Sequence, residues 1–345
     1  MAKTLFEIVR DLAADDGNYT EANTYENIDI EFLKKSGAQT ISADTSWGNA
    51  TADTRMLMVR VEGALTIDAT FTLNAAARKR GMIILVKGDC TINGTLSMSA
   101  KGASAAGQHL GILNALEIAA AGAAGGAGMA KTDGSKAIGN AGTAGSSRGT
   151  GGAGGGACVQ FGTGYTLTSG AGAAGTSYSG GAAGGGAAAD STTQTAGSGA
   201  TNGGGGGAAT ASGSGITAGG GAGNPGGAGA NGGSAGIDGT GGLLILFVTG
   251  ALTFGANGLI AANGSNGGAC VHAGGGGTGG GTVNVFYQGT LTGYSAGKIT
   301  ATGGAGGVAS SGTDAYNGGA GGAGTFNYDN VALPIPSGGF FMFMT

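Results

Sequence analysis

The glycines of this chain follow two rhythms, and together these leave few folds open. The chain has 345 residues, 84 of them Gly, roughly a quarter against a usual share of about 7%. In the first rhythm Gly separates short β-rich runs. Gly242-LLILFVT-Gly250-ALTFGAN-Gly258-LIAAN-Gly264 and Gly281-TVNVFYQ-Gly289-TLTGYSA-Gly297-KITAT-Gly303 match glycine for glycine. Gly81-MIILVK-Gly88-DCTIN-Gly94-TLSMSAK-Gly102 is a third copy with altered spacing, and MLMVRVEG-ALTID-ATFTLNA across residues 56–75 is a degenerate fourth. Such a unit cannot bury its apolar residues alone, whereas stacked copies can. The expectation is repeated β-rungs in a parallel β-helix or solenoid, with a layered β-sandwich as the alternative. The recurrent Gly is expected to supply the positive φ of sharp corners.

In the second rhythm Gly recurs every third residue. Gly220, Gly223, Gly226, Gly229 and Gly232 keep that period, Gly236, Gly239 and Gly242 resume it, and Gly318, Gly321 and Gly324 repeat it. An extended helix with three residues per turn then has one bare face, so neighbouring backbones can approach and exchange hydrogen bonds. The long tract at 103–241 and the shorter ones at 264–281 and 303–324 therefore read as packed polyglycine-II-type segments. The competing reading is a flexible Gly/Ser linker. Against it, Ala is the commonest partner, and Val159, Phe161, Tyr165, Leu167 and Tyr178 thread the tract.

Composition excludes several classes. Three prolines are too few for collagen. With 41% hydrophobic residues and a net charge of −4, the chain does not resemble a charge-expanded disordered polymer. Fifteen basic against 19 acidic residues leave no basic footprint for nucleic acid. Cys90, Cys158 and Cys270 are odd in number and widely spaced, so no disulfide framework follows. The opening MAKTLFEIVRDLAADDG lacks the succession of a secretory signal, and no apolar stretch approaches the ~18 residues of a membrane span. Assembly in a cytoplasm is the expectation, without membrane insertion.

The first residues predict a short helix. Leu5, Phe6, Ile8, Val9 and Leu12 share one face, Thr4 and Glu7 have the form of a capping box, and Asp15-Asp16-Gly17 marks the end. Its apolar face needs a partner, either the body of the chain or another protein. The expected organisation is an N-terminal helix and docking segment (1–46), first β-rungs (47–102), a glycine-rich domain (103–241), a second rung pair with a short glycine-rich insert (242–303), and a glycine-rich loop with a C-terminal cap (304–345). Trp47 marks the start of the β body.

GMIILVKGDCTINGTLSMSAKGASAAGQ, a glycine-rich tract, and then GGLLILFVTGALTFGANGLIAANGSNGGA resemble the glycine-rich tail fibre and adhesin proteins of bacteriophages and phage-tail-like bacteriocins, over roughly residues 55–330. The resemblance implies a non-enzymatic virion or particle component. Its packed polyglycine II helices would present loops that bind a host cell-surface glycan or protein. It further implies a homotrimer whose N-terminal segment docks onto other tail or baseplate proteins. The alternatives are an architectural virion or surface-layer protein and a polysaccharide-cleaving tail spike.

Candidate chemistry is sparse. Cys270-Val271-His272 offers two metal ligands where a closed site takes about four, and no cofactor is expected. Gly297-Lys298-Ile299 fails the phosphate-loop pattern, which requires Ser/Thr after Lys and Gly where Thr292 stands. Asp68, Asp89, Asp190 and Asp238 are scattered near turns, with no carboxylate pair on one face of a rung for glycoside cleavage. The chain therefore reads as a non-enzyme. The residues that a Gly/Ala scaffold does not itself need are Tyr165, Tyr178, His109, Gln194, Asn202, Tyr316 and Asn317. Aromatic faces stack on sugars or apolar edges, and amides add hydrogen bonds. These are the candidate receptor contacts. Phe340-Phe341-Met342-Phe343-Met344 reads as a subunit contact or a final cap.

Overall fold

The structure, a computed structural model, describes residues 30–51, 56–79, 81–102, 241–269, 276–308 and 315–331, together with short strands inside the long glycine-rich tract. Three parallel sheets run side by side. Sheet I contains Ile30–Lys35, Met56–Val61, Gly81–Val86, Leu243–Val248, Thr282–Tyr287 and Thr325–Asn330. Sheet II contains Gln39–Ile41, Leu65–Ile67, Cys90–Ile92, Leu252–Phe254 and Leu291–Thr292. Sheet III contains Thr45–Trp47, Thr72–Ala75, Thr95–Ser97, Leu259–Ala261 and Ile299–Thr300. Five successive rungs each give one strand to each sheet, and Thr325–Asn330 begins a sixth on sheet I. The parallel pairing selects stacked β-rungs over the antiparallel hairpins of a sandwich. No described residue is helical, so among the described residues no helix is long and apolar enough to cross a membrane. The predicted N-terminal helix lies outside the described residues.

Register explains how the repeat builds a core. Leu57, Met82, Leu244 and Val283 are opposed rung by rung, as are Val59, Ile84, Leu246 and Val285. Sheet II adds the row Leu65, Cys90 and Leu252, and sheet III adds Leu73, Leu96, Ile260 and Ile299. These side chains form one continuous buried cluster. Its alternation comes from the two-residue period of a strand, which sends every second side chain to the same face. The Cys90 thiol sits in this cluster, where burial pushes its pKa up to about 12, so it packs as a small apolar group.

Sheet I differs from its neighbours. MLMVRV, GMIILV and LLILFV are buried at every position, whereas LTI, CTI and LTF on sheet II are buried only at alternate positions. A continuous apolar run is what a parallel strand covered on both faces requires. On the outward row Phe247 and Phe286 stack with ring centroids 5.0 Å apart. Arg60 occupies the same row, and its guanidinium turns to Glu62, which also faces Lys87 at 3.2 Å. Burial alone would raise the Glu62 carboxyl, but Arg60 and Lys87 outweigh it and hold the pKa below its ordinary value.

Two expectations change here. The first rung occupies Ile30–Trp47, so Trp47 ends a rung instead of opening the β body. The corner glycines are also required for a different reason. Gly63, Gly88, Gly250 and Gly289 form a column between sheets I and II, and none has a positive φ. A Cβ on Gly289 would lie 2.6 Å from the carbonyl carbon of Gly250, and one on Gly250 would lie 2.7 Å from that of Gly88. Close approach of stacked backbones excludes a side chain at these positions. Positive φ is confined, among the described glycines, to Gly37, Gly48, Gly293 and Gly297.

Candidate interaction surface

All three glycine-rich insertions leave the solenoid at the same corner, between the sheet III strand of one rung and the sheet I strand of the next. They follow Thr95–Ser97, Leu259–Ala261 and Ile299–Thr300. The long insertion does not interrupt the stack. Leu244 lies opposite Met82, Leu252 opposite Cys90 and Leu259 opposite Thr95.

Besides the strand Ala315–Asn317, the described parts of the two shorter insertions are two outgoing segments, 262–269 and 301–308, and two returning ones, 276–281 and 318–324. They pair every third residue. Gly264 and Gly267 donate to the carbonyls of Thr302 and Ala305 at 2.8 and 2.9 Å. Gly277 and Gly280 donate to Gly319 and Gly322 at 2.9 and 3.0 Å. Gly318, Gly321 and Gly324 donate to Gly307, Gly304 and Ala301 at 2.9, 2.8 and 2.6 Å. The first two sets run parallel between insertions, and the third runs antiparallel within one. Gly304 also donates to Thr278 at 2.8 Å. An extended helix with three residues per turn makes no internal hydrogen bonds, so its N–H groups must pair with neighbours at that period. The returning end of the long insertion joins the array, since Gly241 donates to Gly279 at 3.0 Å.

Steric room sorts the residues in these segments. A Cβ on Gly304 would fall on the Ser265 carbonyl, one on Gly321 on that of Thr278, and one on Gly324 on that of Gly281. Thr302, Ala305 and Val308 recur at the same period and are exposed, with Val308 at 62%. Side chains at this period thus stand on the outside, where there is room for them. Asn263 and Asn266 cap the edge, their Oδ1 atoms accepting the N–H groups of Thr302 and Ala305 at 2.8 Å each. Inside, the Thr278 hydroxyl accepts the Ser265 N–H at 2.6 Å. Sequence reasoning missed Asn263 and Asn266, although their spacing of three in ANGSNGG carried the signal.

Of the candidate receptor contacts, Tyr165, Tyr178 and Asn202 lie outside the described residues, as do Leu5, Phe6, Ile8, Val9 and Leu12. His109 begins the strand His109–Leu113, which pairs antiparallel with Leu116–Ala119. Gln194 begins Gln194–Gly199, which pairs antiparallel with Gly207–Ala211. Tyr316 and half-buried Asn317 belong to Ala315–Asn317. That strand pairs in parallel with Thr166–Thr168, adjacent in sequence to Tyr165, so the long and the third insertions meet there.

Of the aspartates weighed for glycoside cleavage, Asp89 has a structural role. Asp89 Oδ1 accepts the Ala251 N–H at 2.8 Å, tying the third rung to the fourth. Asp190 and Asp238 are outside the described residues, as are Cys270 and His272. Among the described residues no cluster of His, Cys, Asp or Glu could hold a metal. Lys298 Nζ donates to the Gly255 and Ala256 carbonyls at 2.5 and 2.6 Å, so it fastens a corner. Comparison with known protein families, with curated proteins and with solved structures yields no match.

Proposed function

We propose that this chain is a non-enzymatic tail fibre or adhesin component of a phage or phage-tail-like particle, presenting glycine-rich loops for recognition of a host cell surface. One observation carries the reading. Three insertions leave one corner of consecutive rungs, and the two shorter ones travel outward as backbone-paired segments with little side chain of their own. That is an economical way to hold loop tips away from a rigid stack. On this reading the long insertion, 103–241, extends the period-three packing of its neighbours and carries the larger recognition surface, including Tyr165, Tyr178, His109, Gln194 and Asn202. Tyr316 and Asn317 belong to the same face. The N-terminal segment docks through Leu5, Phe6, Ile8, Val9 and Leu12 onto other tail or baseplate proteins, and three copies assemble. Contacts that are weak singly add up when displayed in multiple copies.

The test removes residues 103–241 and joins Gly102 to Gly242, whose N–H already reaches the Met98 carbonyl at 2.9 Å. The expected result is a folded rung stack that no longer adsorbs to host cells. Undiminished adsorption refutes the reading in favour of a purely architectural role.

A further inference from the structure

Lys79 is fully buried, and it lies at the corner between the second and third rungs, where its N–H donates to the Lys101 carbonyl at 3.0 Å. Its Nζ lies 2.7 Å from Glu31 Oε2 and donates to Asn49 Oδ1 at 2.8 Å and to the Thr51 carbonyl at 3.1 Å. Glu31 occupies the inward row of the first rung, opposite core residue Leu57. Gly48, at φ +88°, turns the chain after Trp47 so that the Asn49 N–H meets Glu31 Oε1 at 2.5 Å. An amine, a carboxamide and a carboxylate are therefore gathered against the apolar end of the core, from three separate stretches of the chain.

A buried ion pair is a poor stabiliser by itself, because desolvation offsets its attraction. A covalent product changes that balance. We propose that Lys79 and Asn49 become joined by a side-chain amide, with Glu31 as the proton carrier. Glu31 takes a proton from the Lys79 ammonium across the 2.7 Å contact. The freed Nζ lone pair attacks Asn49 Cγ, which lies at most about 4 Å away, one C=O bond beyond Oδ1, near the separation of reacting atoms held for attack. The Nζ–Cγ bond forms and the Cγ–Nδ2 bond breaks. Nδ2 leaves with a proton returned through Glu31 and with the remaining proton of the attacking nitrogen. Lysine ammonium plus carboxamide thus become a secondary amide plus ammonium, and Glu31 ends as it began. Nothing is oxidised or reduced, and no co-reactant is needed. The amide would lock the first rung to the corner below it, closing the end of the stack that continues toward the N-terminal segment.

The full-length chain is purified after folding, and its intact mass is measured before and after trypsin. The expected protein is lighter than its encoded mass by one ammonia. The expected digest holds residues 36–55 joined to Lys79-Arg80, because an acylated Lys79 is not cleaved. Encoded mass with no joined peptide in the wild-type protein overturns the proposal and leaves a plain ion pair. Asn49→Ala is expected at its full encoded mass; an ammonia deficit there would place the loss elsewhere and overturn the assignment. Glu31→Gln keeps the shape of the side chain and removes the carrier, so it is expected unlinked. Linkage as complete as in wild type would overturn the role of Glu31. The wild-type mass decides the central point even where a variant fails to fold.

Discussion

The rungs and the glycine segments are both built from backbones stacked side by side, yet they are held in opposite ways. In the rungs, Leu57, Met82, Leu244 and Val283 fill the space between sheets, and the backbone ladder follows the packing. In the described segments 262–269, 276–281, 301–308 and 318–324, hydrogen bonds at every third residue make the contacts, and the space between the backbones is too small for a Cβ at Gly304 or Gly321. A rung is weakened by taking atoms away, and a glycine segment by putting them in. The cost structure differs too, because ordering glycine forfeits the most backbone freedom of any residue. The segments grow from the corner of a rung stack that already fixes both of their ends.

Substitutions can break this comparison, and the largest effect is expected in the rungs. Leu246→Ala, at a fully buried inward position, is expected to destabilise by about 2–5 kcal/mol, read from denaturant unfolding. A loss of only a few tenths would mean that the inward rows do not carry the fold. Next comes Gly304→Ala, which sets a methyl group against the Ser265 carbonyl. Overpacking of this kind costs about 1–3 kcal/mol, and the loss should concentrate in amide protection of Gly264, Gly267 and Gly321, leaving the rungs unchanged. Protection preserved at those amides would show that the segments tolerate side chains and are not backbone-packed.

A smaller effect sharpens the contrast between sheet I and the sheets beside it. Glu62 gathers Arg60 from the buried outward row, and its lowered pKa means the folded state favours the charged carboxylate. That stabilisation is present above the ordinary carboxylate range and is lost as pH falls through the lowered folded-state value. Wild type is therefore expected to melt higher than Glu62→Gln near neutrality, with the gap closing on acidification; a constant gap would exclude the ion pairs as its source. Smallest of all is Ala305→Ser on the exposed row, expected within about 0.5 kcal/mol of wild type. It is the control that separates an exposed position from Gly304 one residue away.

Much of this architecture is legible in the sequence because it rests on short-range periodicity. Strand-Gly-strand copies around Gly242 and Gly281 coincide with rungs, and Gly318, Gly321 and Gly324 coincide with donors that pair every third residue. The first rung was not legible. IEFLKK carries three charges in six residues, and only pairing with Met56–Val61 makes it a strand of the stack. The outward burial of LLILFV was visible as an unbroken apolar run, but taken alone such a run does not say which face is the core. In the interaction surface, the spacing of Asn263 and Asn266 is visible in ANGSNGG, but their partners Thr302 and Ala305 come from another insertion.

Local pattern alone therefore sets the unit and its rhythm: β-branched and aliphatic runs that must stack to be buried, and glycines spaced for close backbones. Which units become neighbours is settled by long-range pairing. It set Leu243–Val248 against Gly81–Val86 across an insertion of some 140 residues, and it drew Glu31 and half-buried Asn49 onto buried Lys79. The physical reason is reach. Periodicity records what each residue does to its near neighbours, whereas register between distant rungs follows from the burial that their pairing makes possible, and no local pattern encodes it.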